Sequence, residues 1–258
     1  MIEPTQPTEP LDKVGKLSLT IGRMLLEWGA NAHTVQTAIA STARGLECDT
    51  AEVYCQHAAV MVMLRRGNES CMQMGKVGEH GINLRRAAAL LRVVDEVVAG
   101  RLNCDAALAR IAKIPTDAGA YPTAIVCLST GLGCAAFGRL LGTDTVAFAP
   151  ILVGAAAGQF LRHTMLTRKM NLFLMVTVVS FASALIAGLS ARALGDSHLE
   201  ITTIASILLL VPGPAVLNAQ VDAIDGRPNL AAARALRVAF ILLFMTLGFL
   251  LAQRVINV

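Results

Sequence analysis

The sequence predicts an α-helical polytopic membrane protein, with five transmembrane helices preceded by a small α+β cytosolic domain. Three observations carry the prediction. Charged residues make up only 16% of the 258 residues, against about 25% in soluble domains. The charge is also uneven: residues 1–117 hold thirteen of the 22 Lys and Arg and thirteen of the 18 Asp and Glu, so residues 118–258 are stripped of charge as lipid burial requires. Finally, the hydrophobic period changes twice along the first half and gives way to long apolar runs in the second. The expected division is therefore a cytosolic α+β domain, 1–117, and a five-helix transmembrane domain, 118–258.

In the first half, Leu11, Val14, Leu17, Ile21, Met24, Leu25 and Trp28 recur at steps of three and four, which predicts a helix closed by Gly29. A second helix is expected over about 32–44. The period then falls to two over 50–55, 58–64 and 70–74, predicting three short strands with a tight turn at Arg66-Gly67-Asn68. Helices are expected again over 84–99 and, with Asn103 as cap, over about 105–113. Pro115 and Gly119 mark the boundary. The N-terminal stretch is polar and proline-rich with no basic region ahead of an apolar run, so no cleavable leader is expected.

Six cysteines are scattered without a C-x-x-C pair. Cys48, Cys55, His57, Cys71 and His80 lack clustered ligand spacing, so no metal site is expected from them. Nothing in this half resembles a nucleophile–base pair or a phosphate loop, and neither the apolar spans nor the soluble half carries an enzyme's constellation. No catalytic residue and no cofactor is therefore assigned. The net charge of +4 comes without a dense basic run, which argues against a nucleic-acid partner.

In the second half, apolar stretches of spanning length fall at about 121–141, 145–161, 171–193, 201–218 and 236–252. Arg162, Arg168 and Lys169 follow the second stretch, and Arg227, Arg234 and Arg237 lie between the fourth and fifth. The alternate side has Arg139, Arg192 and Arg254. Six against three puts the N-terminus in the cytoplasm and the C-terminus outside. Gly154-x-x-x-Gly158 permits close helix packing, within the chain or between subunits.

Leu208-Leu-Leu-Val-Pro-Gly-Pro-Ala-Val-Leu-Asn-Ala-Gln-Val-Asp222 is the stretch that points to chemistry. Pro212 and Pro214 remove backbone donors and Gly213 loosens the chain between them, so the fourth helix must break. Broken helices at membrane depth line cavities or binding sites. The amides that open a new helix after Pro214 suit an anionic carboxylate. Asn218 and Asp222, four residues apart, share a face. Asn218 suits substrate orientation. Arg162, Arg234 and Arg237 are candidate cations for a carboxylate. Asp222 cannot bind a carboxylate while ionised, so it suits a coupling or gating role as a proton or cation carrier, or a partner that holds one of the arginines. Asp225, beside Gly226, reads as a solvated turn residue. A kinked helix followed by a hydrophilic loop is the alternative without function.

This segment is similar to the Val-Pro-Gly-x-Pro-Leu-Ile-Asn-x-x-x-Asp signature of the threonine/serine exporter family, most closely its split two-chain YjjP type. Gly29-Ala-Asn, Arg44-Gly-Leu-Glu and His80-Gly-Ile-Asn-Leu resemble further family motifs in the same order. The second proline comes one residue early, since Ala215 stands where the family has proline, and Thr34-Val-Gln replaces the Arg-Val-Glu of many members. The resemblance implies a secondary exporter of small carboxylates in a bacterial inner membrane: succinate in the split branch, threonine and serine in the single-chain branch. It also implies a hetero-oligomer with a small membrane protein of the YjjB type supplying the missing module. A membrane-anchored structural or sensory subunit without a translocation path is the reading from another class.

Overall fold

A computed structural model describes residues 9–78, 81–117 and 121–257. His80, Gly119 and most of the proline-rich N-terminal stretch lie outside the described residues. The chain divides into two compact units, one of residues 1–119 with Pro214–Ala235, the other of Ala120–Gly213 with Leu236–Val258. A single cut at 117/118 therefore does not describe the division, because Pro214–Ala235 returns to the first unit.

In the first unit, helix α1 (Leu11–Glu27) buries Leu11, Val14, Leu17, Ile21 and Leu25 along one stripe, the face that steps of three and four produce. It stops at Gly29, whose φ of +90° suits a residue without a side chain. Ala30 N donates to Leu25 O at 2.9 Å and Gly29 N to Leu26 O at 3.2 Å, the paired closure of a helix end that glycine permits. Asn31 then caps α2 (Ala32–Gly45), its side chain accepting from Thr34 N.

Three strands follow in an antiparallel meander: β1 (Thr50–Cys55), β2 (Ala59–Arg66) and β3 (Glu69–Lys76). Arg66 pairs with Glu69 across a two-residue turn, with φ +55° at Gly67, the placement a tight hairpin requires. Val60, Val62 and Leu64 of β2 point into the core beneath α1 and α2, while Tyr54, Met72 and Met74 face outward.

Helix α3 (Leu84–Val98) is capped by Asn83. Helix α4 (Cys104–Asp117) has Asn103 Oδ1 accepting from Ala106 N at 2.9 Å. The expected helix end before Pro115 is corrected, since α4 runs through it. The proline falls in the last turn, so it removes only the bond to Ile111 O and the helix ends two residues later; Pro115 O, a terminal carbonyl, accepts from Arg86 Nη2 at 2.9 Å. One hydrophobic core joins these elements, and it includes Leu230 from the returning segment.

The second unit contains α5 (Thr123–Leu140), α6 (Phe148–Thr167), α7 (Leu172–Ala193) and α8 (Leu199–Ile207). A 3-10 turn at Leu208–Leu210 extends α8. Helix α9 (Gly213–Ile224) and α10 (Pro228–Ile256) complete the chain, with α10 contributing its first two turns to the first unit and the remainder to the second. A Cβ at Gly154 would meet Ser183 O of α7 at 2.7 Å, so the glycine pair of α6 serves helix packing within the chain. Thr177 and Ser180 of α7 donate to Phe244 O and Met245 O of α10 at 3.2 and 2.7 Å, and so satisfy their hydroxyls inside the bundle.

The five spans expected are not all of spanning character. Among the described residues α5, α7 and α10 are long and apolar enough to cross a membrane, and a fourth span results only if the segments either side of the break before α9 count as one. Two physical causes account for the difference. Helix α6 carries Gln159, Arg162 and His163 in its second half, which dilutes its apolar run. The fourth stretch is interrupted where Val211 turns extended, with φ −62° and ψ 121°, as a residue before proline must.

Candidate functional site

The Pro212-Gly213-Pro214 break is also where the chain leaves the second unit for the first. Helix α9 opens at Gly213, with Pro214 in its first turn, where a missing N–H costs nothing. Its polar face, Asn218 and Asp222, meets the turn between α1 and α2. Asn218 Nδ2 donates to Gly29 O at 2.8 Å. Asp222 is wholly buried. Its Oδ1 accepts from Ala32 N, the first residue of α2, at 3.2 Å, and its Oδ2 accepts from Arg234 Nη1 at 2.5 Å. Arg234 Nη2 donates in turn to Ala30 O at 3.1 Å. Three consecutive residues, Gly29, Ala30 and Asn31, thus close one helix and open the next while two of their carbonyls receive side chains from the returning segment.

Gly226, at φ +73°, ends α9 and lets Arg227 N reach Asp222 O at 2.8 Å. The Arg227 guanidinium bridges outward, with Nη2 on Gln36 Oε1 at 2.5 Å and Nη1 on Asp225 Oδ2 at 2.9 Å, and stands 3.9 Å from Asp222. Asp225 is therefore an outer partner of Arg227. Beside this cluster a cavity of about 470 Å³ is lined by Gln36, Glu52, Cys55, Arg227 and Asn229, among others. Burial pushes the Cys55 thiol up to about 11, the nearby Arg227 charge opposing the shift. The thiol is therefore neutral at ordinary pH.

A second contact belongs to the same turn. Gly81 N donates to Glu27 O at 2.8 Å, and Asn83 N to Trp28 O at 3.0 Å. A Cβ at Gly29 would lie 2.9 Å from Gly81 O. The stretches around Gly29, Gly81 and Asn218–Asp222 are far apart in sequence and converge on one point of the first unit.

The sequence-derived candidates separate into two groups. Asn218, Asp222 and Arg234 belong to the clasp just described, and Pro214 stands in the first turn of the helix that carries the first two. Arg162 and Arg237 belong to the second unit, on α6 and α10, and Pro212 and Gly213 are the last two residues of that unit's Ala120–Gly213 stretch. Arg162 Nε is buried without a hydrogen-bond partner, and Arg237 makes no polar contact among the described residues. Of the roles considered for Asp222, the geometry is that of a partner holding an arginine, with both oxygens occupied. Arg227 was noted in the sequence only as a loop cation and Gln36 only as a departure from a family motif, and the Ala32 amide was not noted at all. The Gly-Ala-Asn stretch was the signal for the turn that presents the Ala32 amide, but spacing alone does not say what it touches.

A family model described as "Putative threonine/serine exporter" matches residues 16–256. The "Probable succinate transporter subunit YjjP" of Escherichia coli K12 is 24% identical over 246 residues, covering 95% of both chains. A protein of the same description from Klebsiella aerogenes is 24% identical over 241 residues, covering 93% of both. No solved structure gives a significant match.

Proposed function

Because the chain belongs to the threonine/serine exporter family, a family of secondary transporters rather than enzymes, we propose that it is one subunit of a bacterial inner-membrane exporter of small carboxylates. The working partner in this reading is a small membrane protein of the YjjB type, since both relatives are described as subunits. The family description supports threonine and serine as substrates; the descriptions of the two relatives support succinate. A carboxylate is common to all three.

One observation favours a specific binding group. Of the three candidate arginines, Arg234 is already neutralised by Asp222 at 2.5 Å, whereas Arg162 holds a buried Nε with no partner on a helix of the membrane unit. A buried donor without an acceptor is costly, and a substrate carboxylate would satisfy it. Arg162 is thus the cation of this reading, with Arg237 second. The clasp around Asp222 ties the segment that follows the Pro-Gly-Pro break to the α1–α2 turn of the first unit. The N-terminus faces the cytoplasm, from the excess of basic residues in the corresponding loops, and five crossings require α6 to pass the bilayer with its polar end turned toward protein.

Counterflow in proteoliposomes tests the reading. Labelled succinate, threonine and serine are each offered to the chain with and without a YjjB-type partner. Carboxylate exchange that depends on both chains is expected. An absence of exchange for all three substrates with both chains present would favour a non-transporting anchor.

A further inference from the structure

The two connections at one end of the second unit, 141–147 between α5 and α6 and 194–198 between α7 and α8, bring together three side chains that lie outside the site described above. Asp144 Oδ1 accepts from Ala147 N at 3.1 Å, which leaves Oδ2 free to face His198. Asp196 has a fully buried side chain. Its Oδ2 accepts from Thr202 Oγ1 at 2.6 Å and its Oδ1 from His198 N at 2.9 Å. His198 Nδ1 stands 3.8 Å from Asp144 Oδ2 and 3.8 Å from Asp196 Oδ1. One ligand atom from each of the three residues lies within 4.8 Å of the others.

Two carboxylates held this close repel. Among the described residues no lysine or arginine forms an ion pair with either of them. The 3.8 Å separations are too long for direct hydrogen bonds to the imidazole. They are close to what a shared ion needs: ligand atoms at about 2.0–2.2 Å from a tetrahedral centre stand roughly 3.3–3.6 Å apart. Each carboxylate also accepts a hydrogen bond, from Ala147 N or from Thr202 Oγ1, that fixes its orientation, the usual companion of a metal ligand. Ser197 Oγ lies 3.1 Å from the same Nδ1 and would have to rotate away for that nitrogen to bind an ion.

We propose that Asp144, Asp196 and His198 bind a divalent transition-metal cation that ties the α5–α6 connection to the α7–α8 connection. One imidazole nitrogen with two carboxylate oxygens suits Mn²⁺ or Zn²⁺ and disfavours Mg²⁺, which prefers an all-oxygen shell with several waters.

The test is titration of the full-length chain in detergent with Mn²⁺, followed by electron paramagnetic resonance, with Zn²⁺ as competitor. Mn²⁺ is the probe because the six free cysteines compete poorly for it. The variants are Asp144→Asn, which keeps the oxygen that caps Ala147, and His198→Gln, and thermal melts without metal verify that both are folded. Saturable binding of one Mn²⁺ per chain, displaced by Zn²⁺ and weakened at least about tenfold in both variants, is the expected result. Absence of saturable binding overturns the site. Equal binding by all three proteins overturns it as well.

Discussion

Asp222 and Arg234 stand twelve residues apart in sequence and 2.5 Å apart in space, one at the end of α9 and the other near the start of α10, with both side chains buried. An ion pair removed from water is tolerated only when its remaining hydrogen-bonding capacity is met. Here the backbone of a third segment meets it, through Ala32 N and Ala30 O.

Breaking that pair from one side strands a charge. Asp222→Asn is expected to lower the stability of the detergent-solubilised protein by about 3–5 kcal/mol, and Asp222→Asn combined with Arg234→Leu to recover much of the loss. Thermal unfolding of the two variants measures this. An Asp222→Asn protein as stable as wild type but defective in net export would reassign Asp222 to proton or cation coupling. Asp225→Asn, which touches an exposed pair, should change stability by about 1 kcal/mol or less.

Gly29 and Gly67 both hold positive φ, but only Gly29 has backbone at 2.9 Å from a would-be Cβ; Gly67 has nothing within 4 Å. Gly67→Ala should cost about 1–2 kcal/mol from conformation alone. Gly29→Ala should cost more, because Gly81 must move as well. Melting temperatures in the opposite order would remove the steric argument.

Loss of the Arg162 charge should weaken carboxylate recognition. A charge-assisted hydrogen bond contributes about 1.5–3 kcal/mol, so Arg162→Gln should reduce exchange at low substrate by roughly tenfold or more while leaving folded yield unchanged. Exchange at the wild-type level would take Arg162 out of the substrate path.

Orientation is accessible to labelling. A cysteine replacing exposed Leu194, in a variant lacking the native thiols, should react with a membrane-impermeant maleimide added to whole spheroplasts, and one replacing Arg168 should not. The reverse pattern would turn the whole chain over.

Cys55 is buried beside Arg227, and its thiol is pushed up from an ordinary 9.0 to about 11. Because the folded value is the higher one, the protein holds this proton more tightly than the unfolded chain does. Alkylation should be negligible at neutral pH and rise about tenfold per pH unit toward that value. The stability contribution is fully present below pH 9 and is lost as pH climbs through 11. Rapid alkylation at neutral pH would mean that this core opens readily.

Local elements were legible because their signals are local. The α1 stripe, the Gly67 hairpin, the Asn103 cap and the break at Pro212 each rest on residues within one or two turns. The site was legible only in pieces. Asn218 and Asp222 could be placed on one helical face, but what that face meets depends on contacts about 190 residues apart in sequence, which no periodicity encodes. Membership of Pro214–Ala235 in the first unit was hidden for the same reason. The apolar run after Leu236 drew attention to a span, while Arg234 and Leu230, two turns upstream, were being buried elsewhere.

That membership sets an order of events during synthesis. The first unit waits for its last strip of sequence, since Asp222, Arg234 and Leu230 are made only after residues 120–213 have been translated. From Gly119 to Ala235 is 116 residues, which at about 5–20 residues per second is roughly 6–23 s. Through that interval the carbonyls of Gly29 and Ala30 have only water for partners, and the N-terminal half sits on the ribosome unfinished while the hydrophobic helices α5 and α7 are already being handed to the membrane.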